Sequence, residues 1–234
     1  MVEEWCAAAP DAEIIVFDNN STDGTGDLAR AVGVRVVLVR EQGKGHAVRA
    51  IFETLRDREA VVMVDGDGTY PAECVAVLLE PILAGRLDMT VGARRPVALE
   101  GAMSPVRGLG NVLIRSAFRV LIGPGTGDLL SGYRVFGKKY LQVFTPRSSG
   151  FEIEIELAGE AVLRGLRVEE FPVPYRPRIA GTVSKLRAVA DGQRILRAIV
   201  VLSLRHRPWR SFGVVLAVVA ALVVVVAVAW GSRR

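Results

Sequence analysis

Aromatic residues and cysteines are scarce in this sequence, and both shortages narrow the class of protein. Aromatics make up 6% of the 234 residues, although half of the chain is apolar. The two cysteines, Cys6 and Cys74, are far apart and form no CxxC motif, so the sequence indicates neither a zinc site nor a disulfide framework. The length suits one sizeable α/β domain with an appendage, and the cysteine usage suits a reduced compartment.

Long hydrophobic runs are absent with one exception near the C-terminus. Residues 212–230 contain no charge, and their number is close to the ~20 that cross a bilayer core as a helix. Trp209 and Trp230 lie where an aromatic belt would place them. A buried core helix is the alternative, and the position late in the chain excludes a signal peptide. The run therefore predicts one transmembrane helix.

Positive charge is unevenly distributed along the chain. Residues 1–175 carry a net charge of −5, whereas residues 176–210 hold nine Lys or Arg and a single acid, Asp191. A basic stretch beside an apolar run is typical of a segment that lies on anionic headgroups, which argues against nucleic acid as a partner. By the positive-inside rule, the large N-terminal part is expected in the cytoplasm. The sequence thus predicts a membrane protein with a single C-terminal span.

Strand-like and helix-like segments alternate through the first half of the chain. Short β-branched runs predict buried strands at residues 13–18, 34–40, 60–65 and 87–92. Helical patterns fall between them at residues 23–31, 46–58 and 71–83. This alternation predicts an α/β fold with a mostly parallel sheet, in which ligands bind beyond the carboxyl ends of the strands. Further along, the pattern predicts helices at 107–122, 151–163 and 186–204 and extended segments at 131–138 and 168–175.

A pair of carboxylates follows one of the predicted strands. Asp65 and Asp67 lie two residues apart, with Gly66 and Gly68 beside them. Two hard oxygen donors this close repel each other unless a cation joins them, and a diphosphate brings a divalent ion that needs few protein ligands. The pair therefore favours an Mg²⁺ or Mn²⁺ diphosphate site, with a plain Asp-Gly turn as the alternative.

Two further segments have the chemistry of a nucleotide site. Asp18 ends a predicted strand, and its carboxylate suits the N–H of a uracil or guanine ring. The alternative for this segment is a helix N-cap supplied by Asp23 or Thr22. The Gly-Lys-Gly sequence around Lys44 precedes a helix, where glycines let a backbone approach phosphate and lysine adds charge. It does not have the spacing of a Walker motif.

Two basic segments suit phosphate binding. The sequence DLLSGYR joins Asp128 to Arg134 through a turn, and residues 176–185 present three cations with glycine and hydroxyl donors. Contact with lipid headgroups is the alternative for the second segment, because any basic residues would satisfy it.

Taken together, these motifs resemble the family 2 glycosyltransferases, in particular the polyprenyl-phosphate (dolichol-phosphate) hexosyltransferase group. The resemblance runs from about residue 12 to 196 through nine segments in the family's order: DNNSTDGT, GKGHA, DGDGTYP, VGAR, RGLGN, DLLSGYR, GFEIEIEL, EEFPVPYRPR with the following GTVSKL, and DGQRIL. The resemblance implies a GT-A domain that moves a hexose from a UDP- or GDP-sugar to a membrane lipid phosphate, with inversion at the anomeric carbon.

The resemblance also implies roles for individual residues. It assigns five to the nucleotide sugar: Asp18, Asn20, Lys44, Asp65 and Arg94. It makes Asp65 and Asp67 the ligands of Mg²⁺ or Mn²⁺. It assigns Arg178, Ser184 and Lys185 to the acceptor phosphate, and Asp128 and Arg134 to catalysis. A lipid phosphate has a second pKa of ~6 and is already anionic near neutrality, so a general base is not required and charge neutralisation is expected to dominate.

These expectations give a domain plan with one departure from the family. The plan is a GT-A domain at 1–185, a basic amphipathic juxtamembrane segment at 186–210, a transmembrane helix at 211–231 and a tail at 232–234. The departure is at the front, where the family has a strand ending in a P-x-Y-N-E type motif and this sequence begins in what resembles the following helix. The missing strand indicates a fragment or, alternatively, a weakened relative.

The same motifs are compatible with other functions. A family 2 transferase with another lipid or glycan acceptor would share all the motifs. A non-catalytic membrane protein that binds nucleotide sugars is expected if the first strand is truly absent. A nucleotidyltransferase is disfavoured, because the sequence has no glycine-rich N-terminal phosphate loop.

Overall fold

The computed structural model describes residues 1–96, 105–177 and 188–213, and within them helices alternate with six strands. The strands are β1 (Ile15–Asp18), β2 (Arg35–Leu38), β3 (Ala60–Met63), β4 (Met89–Pro96), β5 (Arg134–Gly137) and β6 (Val168–Tyr175). The helices are α1 (Val2–Ala8), α2 (Thr25–Ala31), α3 (Lys44–Leu55), α4 (Val75–Leu83), α5 (Pro105–Leu121), α6 (Lys138–Val143), α7 (Ile153–Leu163) and α8 (Ala188–His206). A 3₁₀ turn, Ala72–Cys74, leads into α4.

The strands form one small parallel sheet and one larger mixed sheet. β1 and β2 pair in parallel, and the other four strands lie in the order β3-β5-β4-β6. β4 and β6 are parallel, whereas β5 runs antiparallel to both β3 and β4. The α/β class is confirmed, but the expected mostly parallel sheet is corrected to a mixed one. The physical reason is that the chain turns at Gly132, at the edge where β3 and β4 end. β5 starts there, and it therefore runs back between β3 and β4 in the opposite direction.

Alternation of side chains along β3 shows how the sheet divides the core. Val61 and Met63 face a cluster formed with α3, α6 and α7, whereas Ala60 and Val62 face a second cluster formed with α1 and α4. Because successive residues of a strand point to opposite faces, a strand buried on both faces needs an apolar run, which is what the sequence supplies here.

A cavity separates the two sheets. Among the described residues, β1 has no strand partner on the edge opposite β2, and β3 has none on the edge opposite β5. Both strands border one cavity of about 2530 Å³, to which α1, α3 and α4 contribute apolar side chains. Arg58 and Glu13, which precede β3 and β1, form an ion pair across it.

The helix predicted as a juxtamembrane segment packs into the folded domain. Ile195, Ile199 and Leu202 of α8 are buried in a third apolar cluster, with α5 and α7 on the other side. Polar contacts add to this packing, since the Ser203 hydroxyl donates to the backbone oxygen of Leu121 at 3.0 Å. The apolar face of α8 is therefore a protein contact, and its cationic residues lie on the outward side.

The predicted transmembrane helix at 211–231 and the tail at 232–234 fall almost entirely outside the described residues. Within the described part of the chain, no helix is both long enough and apolar enough to cross a bilayer.

Candidate active site

The candidate site lies where β1, β3 and β4 end, at the edge of the cavity between the sheets. Six charged side chains that the sequence singled out border this cavity: Asp18, Lys44, Asp65, Asp67, Arg94 and Asp128. They come from segments that are far apart in the chain. The topology brings them together because parallel strands present their carboxyl ends at one edge.

Asp18 is buried at the end of β1 and organises the loop that follows. Its Oδ1 accepts a hydrogen bond from the Ser21 backbone N–H at 3.0 Å. Gly26 is tightly packed against its Oδ2, because a Cβ on Gly26 would collide with that oxygen. Asn20 lies in this loop with φ of 53° and is exposed. The loop role and a base contact by the remaining surface of Asp18 are compatible.

Asn19, which the sequence did not single out, ties this loop to the start of α3. Its Oδ1 accepts from the Gly43 backbone N–H, and its Nδ2 donates to the Glu41 backbone oxygen, both at 2.6 Å. The available signal in the sequence was a polar residue directly after a predicted strand. Asn19 fixes the distance between two walls of the site.

Lys44 turns inward from the first turn of α3. Its Nζ lies 2.5 Å from Asp65 Oδ1 and 2.5 Å from Glu154 Oε1. Burial alone would lower the pKa of Lys44, but the carboxylates of Glu154 and Asp65 outweigh burial and hold that pKa above its usual value. The ammonium is therefore charged and engaged by carboxylates.

The Asp65–Asp67 turn combines a site-facing carboxylate with a local cap. Asp67 Oδ1 accepts from the Thr69 hydroxyl at 2.6 Å and from the Thr69 backbone N–H at 3.2 Å. Gly132 packs against the Asp65 carboxylate so closely that a Cβ would collide with it. Within the described residues, no group of three or more carboxylate, histidine or cysteine side chains converges as a metal cage.

These two carboxylates nevertheless fit the ion that the sequence implies. Mg²⁺ is commonly held by one or two carboxylates together with substrate phosphates and water, rather than by a cage made of protein alone. Asp65 and Asp67 supply that number of hard oxygen donors at the edge of a large cavity.

Arg94, at the end of β4, is held on two sides. Its Nε and Nη2 donate to Asp128 Oδ2 and Oδ1, each at 2.7 Å, and its backbone N–H donates to Oδ2 at 3.1 Å. Its guanidinium carbon lies 5.6 Å from the centroid of the Tyr175 ring. Burial raises the pKa of Asp128, but hydrogen bonds and charge from Arg94 outweigh burial and lower it. Arg94 is thus a rigid cation at the cavity wall.

Arg134 lies deeper than the resemblance implied. It is fully buried, and its Nε donates to the Ser131 backbone oxygen at 3.0 Å and to Glu154 Oε2 at 3.1 Å. Its Nη2 donates to the Leu129 backbone oxygen at 2.8 Å. Arg134 is not among the residues that border the cavity. The geometry favours a positioning role behind the site over direct contact with phosphate.

The remaining residues of the DLLSGYR segment also have structural explanations. The Ser131 hydroxyl donates to the Gly92 backbone oxygen at 2.6 Å, which joins this turn to β4. The Gly132 backbone N–H donates to the Tyr70 hydroxyl at 3.0 Å, and burial raises the pKa of Tyr70 to about 12. Tyr133 packs edge-on against Tyr70. The segment connects the ends of β3, β4 and β5.

Glu154 and Glu170 are functional candidates that sequence reasoning missed. Glu154 is 2% exposed and receives both Lys44 and Arg134. Glu170 Oε1 accepts from the Asp128 backbone N–H at 2.6 Å. The sequence contained a signal for Glu154. In GFEIEIEL the residues between the acidic ones are apolar, whereas a solvent-facing helix would carry polar residues there.

The predicted acceptor-phosphate residues Arg178, Ser184 and Lys185 lie outside the described residues. The preceding basic residue, Arg176, forms ion pairs with Glu4 at 2.9 Å and Glu73 at 3.9 Å. These contacts connect the end of β6 with α1 and with the turn before α4.

The fold and the arrangement of charges define the class as a GT-A-like glycosyltransferase domain. Comparison of chain traces supports the fold, since glucosyl-3-phosphoglycerate synthase from Mycobacterium tuberculosis, in complex with Mn²⁺, UDP-glucose and phosphoglyceric acid, superposes with a TM-score of 0.65. The match covers 88% of this chain and 74% of that structure at 21% sequence identity.

The chain belongs to glycosyl transferase family 2, whose family model matches residues 2–144. It is 39% identical to glycosyltransferase AglJ of Haloferax volcanii over 77% of this chain, and it spans 59% of the length of that relative. It is 32% identical to a dolichyl-phosphate hexose transferase of the same organism, over 84% of this chain and 83% of the relative. The resemblance found in the motifs is thereby confirmed at the level of the family.

Proposed function

We propose that this protein transfers a hexose from a nucleotide sugar of the UDP-glucose or GDP-mannose type to a polyprenyl phosphate, with inversion and with a divalent metal. The observation that carries the proposal is the convergence of Asp18, Asp65, Asp67 and Arg94 on one cavity edge. The name of the dolichyl-phosphate hexose transferase relative supports the acceptor class.

The donor side of the site follows from the chemistry of these residues. Asp18 would accept a hydrogen bond from an N–H of the base, and Asn20, exposed in the loop that follows, would contact the nucleotide sugar. Asp65 and Asp67 are the residues that would hold Mg²⁺ or Mn²⁺ against the diphosphate. When bound, that ion neutralises charge on the departing nucleoside diphosphate.

Arg94 supplies fixed positive charge beside the reacting groups. Its guanidinium is pre-oriented by Asp128 and Tyr175, so it does not reorganise when charge develops on a phosphate oxygen. A donor fixed in this way is typically worth 10²–10³ in rate.

Asp128 acts through Arg94 in this proposal. Both of its carboxylate oxygens accept from Arg94, and the lowered pKa keeps it ionised at neutral pH. The attacking phosphate oxygen is anionic without help because its second pKa is ~6. A general base is therefore not needed, and Asp128 is a positioning residue.

The membrane side of the proposal rests on the sequence. Residues 211–231 cross the bilayer, the catalytic domain lies on the cytoplasmic face, and Arg178, Ser184 and Lys185 receive the lipid phosphate next to the membrane. Arg194 and Arg197 of α8 are exposed and would contact anionic headgroups.

The test is a transfer assay with the purified chain in vesicles that contain undecaprenyl phosphate. We expect a lipid-linked hexose and released UDP or GDP when a sugar nucleotide and Mn²⁺ are supplied, loss of both products with a chelator, and recovery when Mn²⁺ is returned. Product formation without polyprenyl phosphate would replace this acceptor with another lipid or glycan.

A second candidate follows from the cavity between the sheets. Because β1 and β3 border the site without a strand between them in the described residues, a non-catalytic role in binding nucleotide sugar remains compatible with the geometry. Calorimetry with UDP-glucose and Mg²⁺ separates the two functions. Binding without turnover would favour the second.

A further inference from the structure

Four charged side chains form a continuous network that leads inward from the donor site. Asp65, Lys44, Glu154 and Arg134 come from the end of β3, from α3, from α7 and from β5. We refer to these four residues as the ion network. Lys44 bridges Asp65 and Glu154 at 2.5 Å each, and Arg134 contacts the other oxygen of Glu154 at 3.1 Å.

The ion network runs from the cavity into the core. Side-chain exposure falls from 35% at Asp65 to 17% at Lys44, 3% at Glu154 and 0% at Arg134. Two cations face two carboxylates, so the network is neutral as a unit. Buried charges are stable when they are paired in this way, and loss of one partner leaves an uncompensated charge.

The glycines around Lys44 serve this geometry. The Gly45 backbone N–H donates to the Ser149 backbone oxygen at 3.0 Å, and a Cβ at position 43 or 45 would collide with the backbone at Ser148 and Ser149. The start of α3 is thus pressed against the loop before α7. This contact occupies the Gly45 backbone N–H, and Lys44 beside it reaches Asp65.

Helix α7 supports the loop from the other side. Glu156 accepts from the Ser148 backbone N–H at 2.7 Å and from the Arg147 backbone N–H at 3.1 Å. Two glutamates of α7 therefore act on α3 by different routes, since Glu154 binds Lys44 directly and Glu156 fixes the loop that packs on Gly45. Glu154 and Glu156 of the segment GFEIEIEL thus both help to fix the start of α3.

We propose that Lys44 is a positioning residue that holds the Asp65 carboxylate in its site-facing orientation, with Glu154 and Arg134 fixing Lys44 in turn. The motif suggested that Lys44 is a direct ligand of the donor phosphates; in this proposal it is not. The role of Asp65 toward the donor and its metal rests on the proposed function. The ion network itself rests on the contacts alone.

Three measurements distinguish a positioning role of Lys44 from a role as phosphate ligand: Mn²⁺ affinity, kcat and the donor KM. Removing a phosphate ligand weakens donor binding and leaves metal binding by the free protein unchanged. Removing the positioning ammonium frees negative charge at Asp65, so the bare ion binds more tightly while turnover falls because Asp65 is no longer oriented. The two roles therefore predict opposite patterns.

The experiment uses Lys44→Met, Glu154→Gln and the double variant, with circular dichroism to verify folding. For Lys44→Met we expect Mn²⁺ affinity without nucleotide to rise about threefold, kcat to fall about tenfold and the donor KM to stay within about twofold. Lys44→Arg, which keeps the charge, is expected to recover part of the lost kcat. A tenfold rise in KM with unchanged kcat and unchanged Mn²⁺ affinity would overturn the proposal.

The double variant keeps the test decisive if Lys44→Met is unstable. Lys44→Met/Glu154→Gln removes one positive and one negative charge, so the free energy of unfolding is expected to fall by less than the sum of the single changes. Additive changes would show that Lys44 and Glu154 act independently and would overturn the network. Mn²⁺ affinity and unfolding need no turnover, so a protein that transfers no hexose still tests this inference separately from the proposed function.

Discussion

The two ends of β4 carry the same arginine–aspartate arrangement in different surroundings. Before β4, Asp88 accepts from the backbone N–H, Nε and Nη2 of Arg167 at 2.8, 3.3 and 3.0 Å. At the other end, Asp128 accepts from the same three groups of Arg94 at 3.1, 2.7 and 2.7 Å. The pattern of hydrogen bonds alone does not distinguish a structural clamp from part of a site.

The surroundings make the distinction. Asp88 is 4% exposed, Arg167 extends into solvent, and Lys139 adds a second cation. Arg94 instead lies over the Tyr175 ring and borders the cavity. The carboxylate is the buried partner in the first pair, whereas the arginine of the second pair faces the space that a substrate would occupy. An arginine paired with an aspartate can therefore belong to a site when its guanidinium also borders a cavity.

Arg94→Met is the change expected to separate the two ends most. With the guanidinium lost from the cavity wall, we expect kcat/KM for hexose transfer to fall at least about 100-fold. Arg167→Met is the matched control, since it breaks the same bond pattern at the other end of β4. Transfer assays on both variants check this, and a similar loss in both would show that the clamp matters through folding alone.

Asp88→Asn tests the structural end of β4 through stability. Burial raises the pKa of Asp88, but hydrogen bonds from Arg167 and Lys139 outweigh burial and lower it from 3.8 to about 2. The pair therefore stabilises the fold fully above about pH 4, and the contribution disappears as the pH falls toward 2. For Asp88→Asn we expect the free energy of unfolding to fall by about 2 kcal/mol at pH 7.

Denaturant unfolding at pH 7 and pH 2.5 measures this effect. The gap between wild type and Asp88→Asn should narrow at the lower pH, while hexose transfer at pH 7 stays near the wild-type rate. A gap that is constant with pH would assign the loss to packing.

Asp128→Asn asks whether the acid at the site end is a base or a clamp. The amide keeps the shape but loses charge and one acceptor, so Arg94 is held less firmly and kcat/KM should fall about tenfold. The pH profile of kcat/KM should keep its shape, because no proton is taken by Asp128. Loss of the acidic limb of the profile would restore Asp128 as a general base.

Glu170→Gln is expected to have the smallest effect of this series. Its carboxylate accepts one backbone N–H from Asp128, a charge-assisted bond worth about 1–2 kcal/mol. Stability should fall by about that amount and kcat/KM by no more than about threefold, because the amide oxygen retains an acceptor. Thermal unfolding and the transfer assay measure both. A loss as large as that of Asp128→Asn would give Glu170 a part in the site itself.

The sequence was most informative where local pattern and chemistry coincide. Short β-branched runs predicted β1, β2, β3 and the start of β4, and the polar residues after them do meet at one edge. Asp18 and Asp65 were singled out because each carboxylate comes at the end of a predicted strand, and both border the cavity.

Long-range pairing was beyond the sequence. The sequence predicts an extended segment at 131–138 but not the place of β5 between β3 and β4, because direction and neighbours depend on where the preceding turn returns the chain. Arg134 and Glu154 are 20 residues apart and meet in the core, so the sequence showed neither the depth of the arginine nor which cations the glutamate receives. The same holds for Lys44, whose direction is decided by the loop at Ser149.

The separate sheets have a consequence for hydrogen exchange. β3 is bonded to β5 on one side, while its other side borders the cavity together with β1. Successive amides of a strand point to opposite sides, so protection along Ala60–Met63 should alternate from residue to residue even though the strand lies deep in the molecule. Any extended chain that later occupies the cavity would appear as the disappearance of that alternation.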